Sequence, residues 1–159
     1  MLDRCGLICR GEIYVKHIEN NHAGQRTITA HAALRSEVQR FFESFVSAFR
    51  EFDGNLIAQR YTAPYVSLNA DGGIQLFSTW GQIGEYFQDI VTGYHLQGCR
   101  SCRFTDLEVV ALGLNSALAS VTWELLRADE SIISAWRESY NLTRTGDGFR
   151  IFASIDHVD

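Results

Sequence analysis

The spacing of apolar residues divides the chain into a helical first half and a strand-rich second half. Over residues 32–53, apolar side chains recur at steps of three and four, which predicts an amphipathic helix. A similar pattern begins after Ser78 or Thr79, either of which can cap a helix, and ends between residues 93 and 98. Two substantial helices are therefore expected before the chain changes its period.

Turn residues separate the remaining segments, in which apolar and polar residues alternate. Asn55 can cap a short helix over residues 56–61, and alternation on either side of the Asp-Gly-Gly turn at 71–73 predicts a hairpin. Four further strands are predicted, at about 102–112, 117–128, 131–144 and 149–157. This order predicts an α+β layered fold with a curved antiparallel sheet.

The first part of the chain has no sustained period. Residues 12–18 could make one short strand, and residues 20–24 have the composition of a loop. We expect residues 1–31 to be an appendage that can move, and residues 32–159 to form one domain. A chain of 159 residues suits a single well-buried domain.

The net charge and the hydropathy of the chain argue against a nucleic-acid partner and against a membrane partner. The net charge is -5, the pI is about 5.5, and no cluster of Lys and Arg is available to neutralise a phosphate backbone, so no nucleic-acid partner is expected. No apolar stretch reaches the roughly 18 residues needed to cross a bilayer, and the N-terminal apolar run is too short for a signal peptide. A cytoplasmic protein without a membrane partner is expected.

The four cysteines form two separated pairs, Cys5 with Cys9 and Cys99 with Cys102. The second pair starts a predicted strand, where residues three apart point to opposite faces. Reduced thiols and no metal are therefore expected. The glycine-rich segments are turns between strands and do not precede a helix, so no nucleotide cofactor is expected.

One carboxylate stands in a row of large hydrophobic residues. With a period of two, Trp136, Glu138, Tyr140 and Leu142 share one face of a strand. A carboxylate in a core costs several kcal/mol unless it is paired or protonated, whereas in a pocket it can carry protons or anchor a ligand. The alternative is an ion pair at the sheet surface with an arginine such as Arg137 or Arg127.

Six segments carry a resemblance to a known family. They are residues 38–42 (VQRFF), 63–69 (APYVSLN), 79–87 (TWGQIGEYF), 117–123 (ALASVTW), 139–144 (SYNLTR) and 148–151 (GFRI). On these segments the chain resembles the NTF2-like superfamily, including its SnoaL-like and ketosteroid-isomerase-like members of unknown function, over about residues 34–156. The resemblance implies an α+β cone, in which a curved mixed or antiparallel sheet wraps around the three helices of the N-terminal half. It also implies an apolar pocket and homodimers formed through the outer sheet face. It does not supply a reaction, since the superfamily hosts several.

The ketosteroid isomerase branch needs a carboxylate base, a tyrosine donor and a protonated acid. Here the tyrosine position corresponds to Phe41 and the base position to Ala70, with Asp71 one residue later. Asp71 can be a displaced base or a turn aspartate, and Asp before Gly is common turn chemistry. Glu138, two residues before Tyr140, corresponds to the protonated acid. The catalytic candidates are therefore Glu138, Tyr140 and Asp71.

Aromatic residues from several elements are expected to close the cone around a small hydrophobic molecule. The candidate ligand-binding residues are Phe45, Phe49, Tyr61, Tyr65, Trp80, Phe87, Trp123 and Trp136. At the end of the last strand, Asp156 and His157 point to opposite faces, so only one of them can enter the pocket.

Two hypotheses follow from these residues. The first is a small-molecule-binding protein with an apolar pocket, non-catalytic or of unknown activity. The alternative is a cofactor-free enzyme of the isomerase, dehydratase or cyclase type, which transfers a proton on a small hydrophobic substrate. In that alternative Glu138 is the acid or base, and Tyr140 or Tyr65 is the hydrogen-bond donor.

Overall fold

The computed structural model describes the backbone of residues 11–157 and the side chains of residues 28–157. The described helices are α1 (Gly11–Phe49), α2 (Gly54–Ala58) and α3 (Trp80–Leu96). The strands are β1 (Tyr61–Leu68), β2 (Ile74–Phe77), β3 (Ser101–Ala111), β4 (Ser116–Leu126), β5 (Ile132–Thr145) and β6 (Gly148–Asp156). Of the described residues, 11–35 form one compact unit, and 36–157 form a second, which holds the sheet.

The six strands form one curved, unclosed sheet in the order β2-β1-β6-β5-β4-β3. All neighbours are antiparallel except β1 and β6, which are parallel. The predicted α+β class, with a mixed sheet, is thus confirmed. The parallel pair places the last strand between the first hairpin and the long meander, so residues distant in sequence become neighbours.

Helix α1 is longer than the apolar period predicts. The period begins near residue 32, but α1 starts at Gly11, so the short strand predicted at 12–18 and the loop predicted at 20–24 are wrong. Residues 11–31 contain no proline that would stop the helix, and their apolar residues form no period from which it could be predicted. Residues 1–10, with Cys5 and Cys9, lie outside the described part of the chain.

The C-terminal part of α1 packs its apolar face on the concave side of the sheet. Val38 and Phe42 are fully buried, and Phe45 and Phe49 nearly so. The Phe42 ring lies 5.3 Å from the ring of Tyr140 on β5, measured between centroids. Because burying one large apolar side chain contributes roughly 1.5–3 kcal/mol, this row of rings fixes the helix against the sheet.

Helix α2 begins two residues earlier than predicted, because Asp53 caps it. The Asp53 carboxylate accepts from the backbone N–H of Asn55 at 2.8 Å and of Leu56 at 3.3 Å, so the predicted cap Asn55 is wrong. The helix ends at Ala58, and Tyr61 belongs to β1 rather than to the helix.

Two glycines allow α2 to touch α3. A Cβ added at Gly54 would lie 2.3 Å from the carbonyl oxygen of Gly84, and one added at Gly84 would lie 2.4 Å from Oδ1 of Asn55. These distances leave no space for a side chain. The close approach holds α3 over the sheet.

Helix α3 starts where the sequence predicts. Thr79 and Gln82 form a capping box, in which the Thr79 hydroxyl accepts from the Gln82 backbone and the Gln82 side chain accepts from the Thr79 backbone. Ile83 and Val91 are fully buried and direct the helix toward the sheet. Within the described residues, no helix combines the length and apolar character needed to cross a bilayer.

Candidate functional site

A partly open cavity of about 320 Å³ lies between α1, α3 and the concave face of the sheet. Its walls come from α1, α2, α3 and strands β1, β3, β4, β5 and β6. The lining residues are Phe45, Phe49, Ile57, Tyr61, Tyr65, Ser67, Tyr86, Phe87, Ile90, Val91, Tyr94, Cys102, Trp123, Leu125, Trp136, Glu138, Tyr140, Ser154 and Asp156. The volume falls at the lower end of the range found for small-molecule sites.

Glu138 forms part of the cavity wall and is held by two donors from its own strand. Tyr140 Oη donates to Glu138 Oε2 over 2.6 Å, and Trp136 Nε1 donates to the same oxygen over 3.3 Å. All three side chains share one face because residues two apart in a strand point the same way. The Ser154 hydroxyl on β6 also interacts with this carboxyl.

A neighbouring strand supports this arrangement. Trp123 on β4 donates its indole N–H to Tyr140 Oη over 2.6 Å. The order of donation runs from Trp123 to Tyr140 and from Tyr140 to Glu138, so the phenol proton is already engaged by the carboxylate. Both Trp123 and Tyr140 are buried, which makes each hydrogen bond costly to break.

The carboxyl of Glu138 titrates near neutral pH. Burial among aromatic rings raises its pKa to about 7, the hydrogen bond from Tyr140 opposes this rise, and the charge of Asp156 adds to it. Ser154 and Trp136 contribute weaker interactions that favour the ionised form. A group with this pKa is present in both protonation states at physiological pH.

No arginine pairs with Glu138. Arg137 points to the opposite face, where its guanidinium lies 3.2 Å from the Glu108 carboxylate. Arg127 donates to the Ser131 hydroxyl and to the Ile132 carbonyl. The surface ion pair considered from the sequence is therefore not formed among the described side chains.

Asp156 is a second carboxylate of the same wall. It is the register partner of Glu138 across the β5–β6 pair, so the two side chains leave the same face. Burial raises the pKa of Asp156, and the neighbouring His157 opposes the rise. His157 itself points the other way, where its Nε2 lies 2.7 Å from Ser139 Oγ.

Tyrosine hydroxyls make the aromatic wall partly polar. Tyr65 Oη lies 2.8 Å from Ser154 Oγ, and either hydroxyl can donate. Burial raises the pKa of Tyr94 to about 12 and also raises that of Tyr86, so the phenols stay protonated. The wall therefore offers O–H groups for contact and no phenolate.

Seven of the eight residues predicted to bind a ligand line the cavity; Trp80 does not. The Trp80 side chain is 58% exposed at the start of α3, and its indole N–H donates to the Tyr61 carbonyl over 3.2 Å. Its position in the first turn of α3 directs the ring to the outside of the cavity.

Asp71 also lies away from the cavity. Its Oδ1 accepts from the Gly73 backbone N–H over 2.8 Å, which is the contact of a turn aspartate. Neither Phe41 nor Ala70 lines the cavity. The two positions that correspond to the tyrosine donor and the base of the ketosteroid isomerase branch therefore contribute no side chain to it.

Cysteine chemistry is not supported at this site. Cys102 lines the cavity, but burial raises the pKa of its thiol to about 12, which keeps it protonated and unreactive. Cys99 donates its thiol proton to the Ser101 carbonyl. Among the side chains of residues 28–157, no group of three His, Cys, Asp or Glu is arranged to hold a metal ion.

Sequence reasoning missed Tyr86, Tyr94 and Ser154 and left Asp156 undecided. Tyr86 and Tyr94 lie on α3, where the apolar period marks a broad side without showing which part of it faces a cavity. Ser154 and Asp156 reach the cavity because β6 pairs with both β1 and β5. The alternation along the last strand shows that Asp156 and His157 point to opposite faces. It does not show that β6 lies parallel to β1.

Residues 36–158 match the family described as NTF2-like protein (DUF6841). Among solved structures, the chain is similar to an NTF2-like protein with a cystatin-like fold from Novosphingobium aromaticivorans, with a TM-score of 0.64 and 12% identity over 82% of this chain and 87% of that one. A search of curated proteins found no match.

Two further structures share the fold. An NTF2-like protein of unknown function from Shewanella oneidensis gives a TM-score of 0.59 and 14% identity, covering 76% of this chain and 96% of that one. A ketosteroid isomerase-like protein from Erwinia carotovora gives a TM-score of 0.56 and 13% identity, covering 76% and 92%. At these identities the likeness shows the fold alone.

Proposed function

Because the chain belongs to the NTF2-like family DUF6841, and because proteins with this fold have many unrelated functions, we propose its function from the residues that line the cavity. The cavity binds a small, flat, largely apolar molecule between the aromatic rings of the sheet and α3. Glu138 contacts the polar group of that molecule. The observation that carries the proposal is a carboxyl in an aromatic cavity wall that forms no ion pair with the described residues.

The ring geometry supports a flat ligand. The rings of Tyr61 and Phe87 lie 4.7 Å apart and those of Tyr61 and Tyr65 lie 4.6 Å apart, measured between centroids, so they form a continuous surface. Tyr94 and Trp136 approach to 6.3 Å near Glu138. Aromatic surfaces of this kind gain free energy by covering apolar area and by ring stacking.

A fluorescent aromatic alcohol such as 2-naphthol tests the binding function. We expect saturable binding that quenches the emission of Trp123 and Trp136. Ile90→Trp places a larger side chain in the cavity wall and should weaken binding at least about tenfold. Leu96→Trp is the matched control, since Leu96 is on the same helix but 82% exposed and outside the cavity. Equal affinity in both variants would place binding elsewhere.

Proton transfer is the second candidate function, and the pKa of Glu138 near 7 favours it. The carboxyl can take a proton from carbon next to a carbonyl and return it to another atom, without a cofactor. Tyr140 then acts as a positioning residue because its proton is engaged by Glu138. Tyr65 is the hydroxyl that remains to donate to a ligand when the Ser154 hydroxyl donates to Tyr65 Oη.

Hydrogen–deuterium exchange on a bound ketone tests that candidate. In D₂O the protein should accelerate loss of the α-protons of 2-tetralone, and Glu138→Gln should abolish the acceleration while 2-naphthol still binds. Glu108→Gln is the control, since Glu108 has a side chain 76% exposed and pairs with Arg137 outside the cavity. If the wild-type protein leaves the exchange at its uncatalysed rate, the proton-transfer function is contradicted and only the binding function remains.

We also propose that two copies pair through the outer face of the sheet. On β6, Phe152 is 41% exposed and Ile155 is 37% exposed, and neither lines the cavity. Val110 on β3 is 53% exposed, and Ile132 on β5 is 47% exposed. Exposed apolar side chains on the outer face of a sheet support burial against a second copy.

A further inference from the structure

Glu138 and Asp156 face the same cavity without a basic partner. They are register partners on antiparallel strands, so their Cβ atoms are roughly 5 Å apart. No Lys, Arg or His occurs among the residues that line the cavity. The basic residues next to them in the chain, Arg137 and His157, lie on the opposite face, where they contact Glu108 and Ser139. The charge of His157 opposes the rise in the Asp156 pKa, but its ring is not part of the cavity wall.

The rest of the wall suits a positive charge. Tyr94 and Trp136 lie next to the carboxyl of Glu138, and Tyr61, Tyr65 and Phe87 continue the aromatic surface. The face of an aromatic ring carries partial negative charge and attracts cations, most strongly where water is excluded. Hydroxyl oxygens of the tyrosines can also accept hydrogen bonds from an ammonium group.

We propose that the ligand of this cavity is an organic cation, an aromatic or alicyclic ammonium compound whose charged nitrogen lies between Glu138 and Asp156. The hydrocarbon part of the ligand lies among the aromatic rings. This inference rests on the proposed binding function and names its ligand class. A neutral ligand would leave two neighbouring acids in the wall without a counter-charge, which is costly unless they bind protons.

Binding of a cation is coupled to proton release. Burial raises the pKa of both carboxyls, and the charge of Asp156 raises that of Glu138 further. A bound ammonium stabilises the ionised forms and displaces the proton that Glu138 carries near neutral pH. Tyr61, Tyr65, Tyr86, Tyr94 and Tyr140 also face the cavity, but their pKa values are raised by burial, so they stay neutral between pH 6 and pH 8.

A matched pair of probes tests the ligand class. The 2-naphthylmethylammonium ion and 2-naphthylmethanol share one aromatic frame and differ in charge. By titration calorimetry with the full chain, we expect the ammonium ion to bind about tenfold more tightly at pH 8, because a hydrogen bond to a charged group is stronger than a neutral one. Its affinity should rise from pH 6 to pH 8, whereas that of the alcohol should not.

Variants at the two acids complete the test. Glu138→Gln and Asp156→Asn should each reduce the preference for the ammonium ion while the alcohol still binds. Glu108→Gln removes one exposed negative charge and should leave the preference unchanged. Equal binding of the two probes overturns the cation proposal and leaves the binding function in place. If neither probe binds, the cation proposal and the binding function are both overturned. If Glu108→Gln also loses the preference for the ammonium ion, the preference comes from the net charge of the protein, and the cation proposal is overturned.

Discussion

Tyr140 donates its phenolic proton to Oε2 of Glu138 over 2.6 Å, although both side chains lie in an aromatic wall. The bond explains how a carboxyl is tolerated there, since it stabilises the ionised form while burial stabilises the neutral one. The two effects leave Glu138 able to exchange protons near neutral pH. They also assign Tyr140 to holding Glu138 rather than to direct contact with a ligand.

Replacing Tyr140 by Phe should raise the pKa of Glu138 above 7, because the largest interaction that favours its ionised form is lost. The variant also leaves the buried indole N–H of Trp123 without its acceptor, so stability should fall by roughly 1–3 kcal/mol. NMR titration and urea unfolding measure the two effects. Tyr94→Phe is the control: it removes a phenol from the same cavity that is not bonded to Glu138, and it should change neither value by a comparable amount.

Stability should depend on pH through Glu138. Its pKa is about 7 in the folded protein and near its ordinary value of 4.5 when unfolded. The folded state therefore binds the proton more tightly, so this contribution is complete below about pH 4.5 and is lost as pH rises through 7. The raised pKa of Asp156 acts with the same sign. Unfolding between pH 5 and pH 8 should show a decline of roughly 2–3 kcal/mol, and Glu138→Gln should flatten it. An unchanged slope in the variant would assign the effect to other groups.

Gly54 should resist substitution because its hydrogen faces the backbone of α3. Ala at this position would place Cβ 2.3 Å from the Gly84 carbonyl oxygen and 2.4 Å from the Gln88 nitrogen, so α2 and α3 must separate. Overpacking of this kind costs roughly 1–3 kcal/mol. The control is Gly93→Ala in α3, which meets no atom within 4 Å and should stabilise by roughly 0.5–1 kcal/mol. Thermal unfolding of both variants checks the contrast.

Introducing a negative charge on the outer face of the sheet tests the proposed association of two copies. Phe152→Glu places a carboxylate on the proposed contact surface and should shift the protein toward monomer in sedimentation equilibrium. Leu114→Glu is the control, since Leu114 is 92% exposed in the turn between β3 and β4. A wild type that is monomeric at all concentrations, or a dimer that Phe152→Glu leaves intact, would contradict the proposed interface.

The sequence predicts the parts of the fold that repeat locally. Alternation in β5 placed Trp136, Glu138 and Tyr140 on one face, and the structure has them there because the side-chain period of a strand does not depend on its neighbours. The helical period of α1 predicted which rings are buried. It could not show that the helix begins at Gly11, because residues 11–31 carry no apolar period from which a helix could be predicted.

The cavity as a whole could not be predicted because it depends on contacts between distant segments. Asp156 became the neighbour of Glu138 through the β5–β6 register, and Ser154 met Tyr65 through the parallel pairing of β1 with β6. Trp80 illustrates the opposite error, since an aromatic residue in a helical pattern can still lie outside. Periodicity gives the face of an element but not the partner on that face.

The protonation of Glu138 tests the central claim most directly. We would label glutamate with ¹³C at the side-chain carboxyl, assign the Glu138 resonance with Glu138→Gln, and follow its chemical shift between pH 3 and pH 10. An aromatic cavity that holds this carboxyl without an ion pair predicts a midpoint near pH 7. A midpoint near 4.3, the ordinary value for a solvated glutamate, would contradict the account.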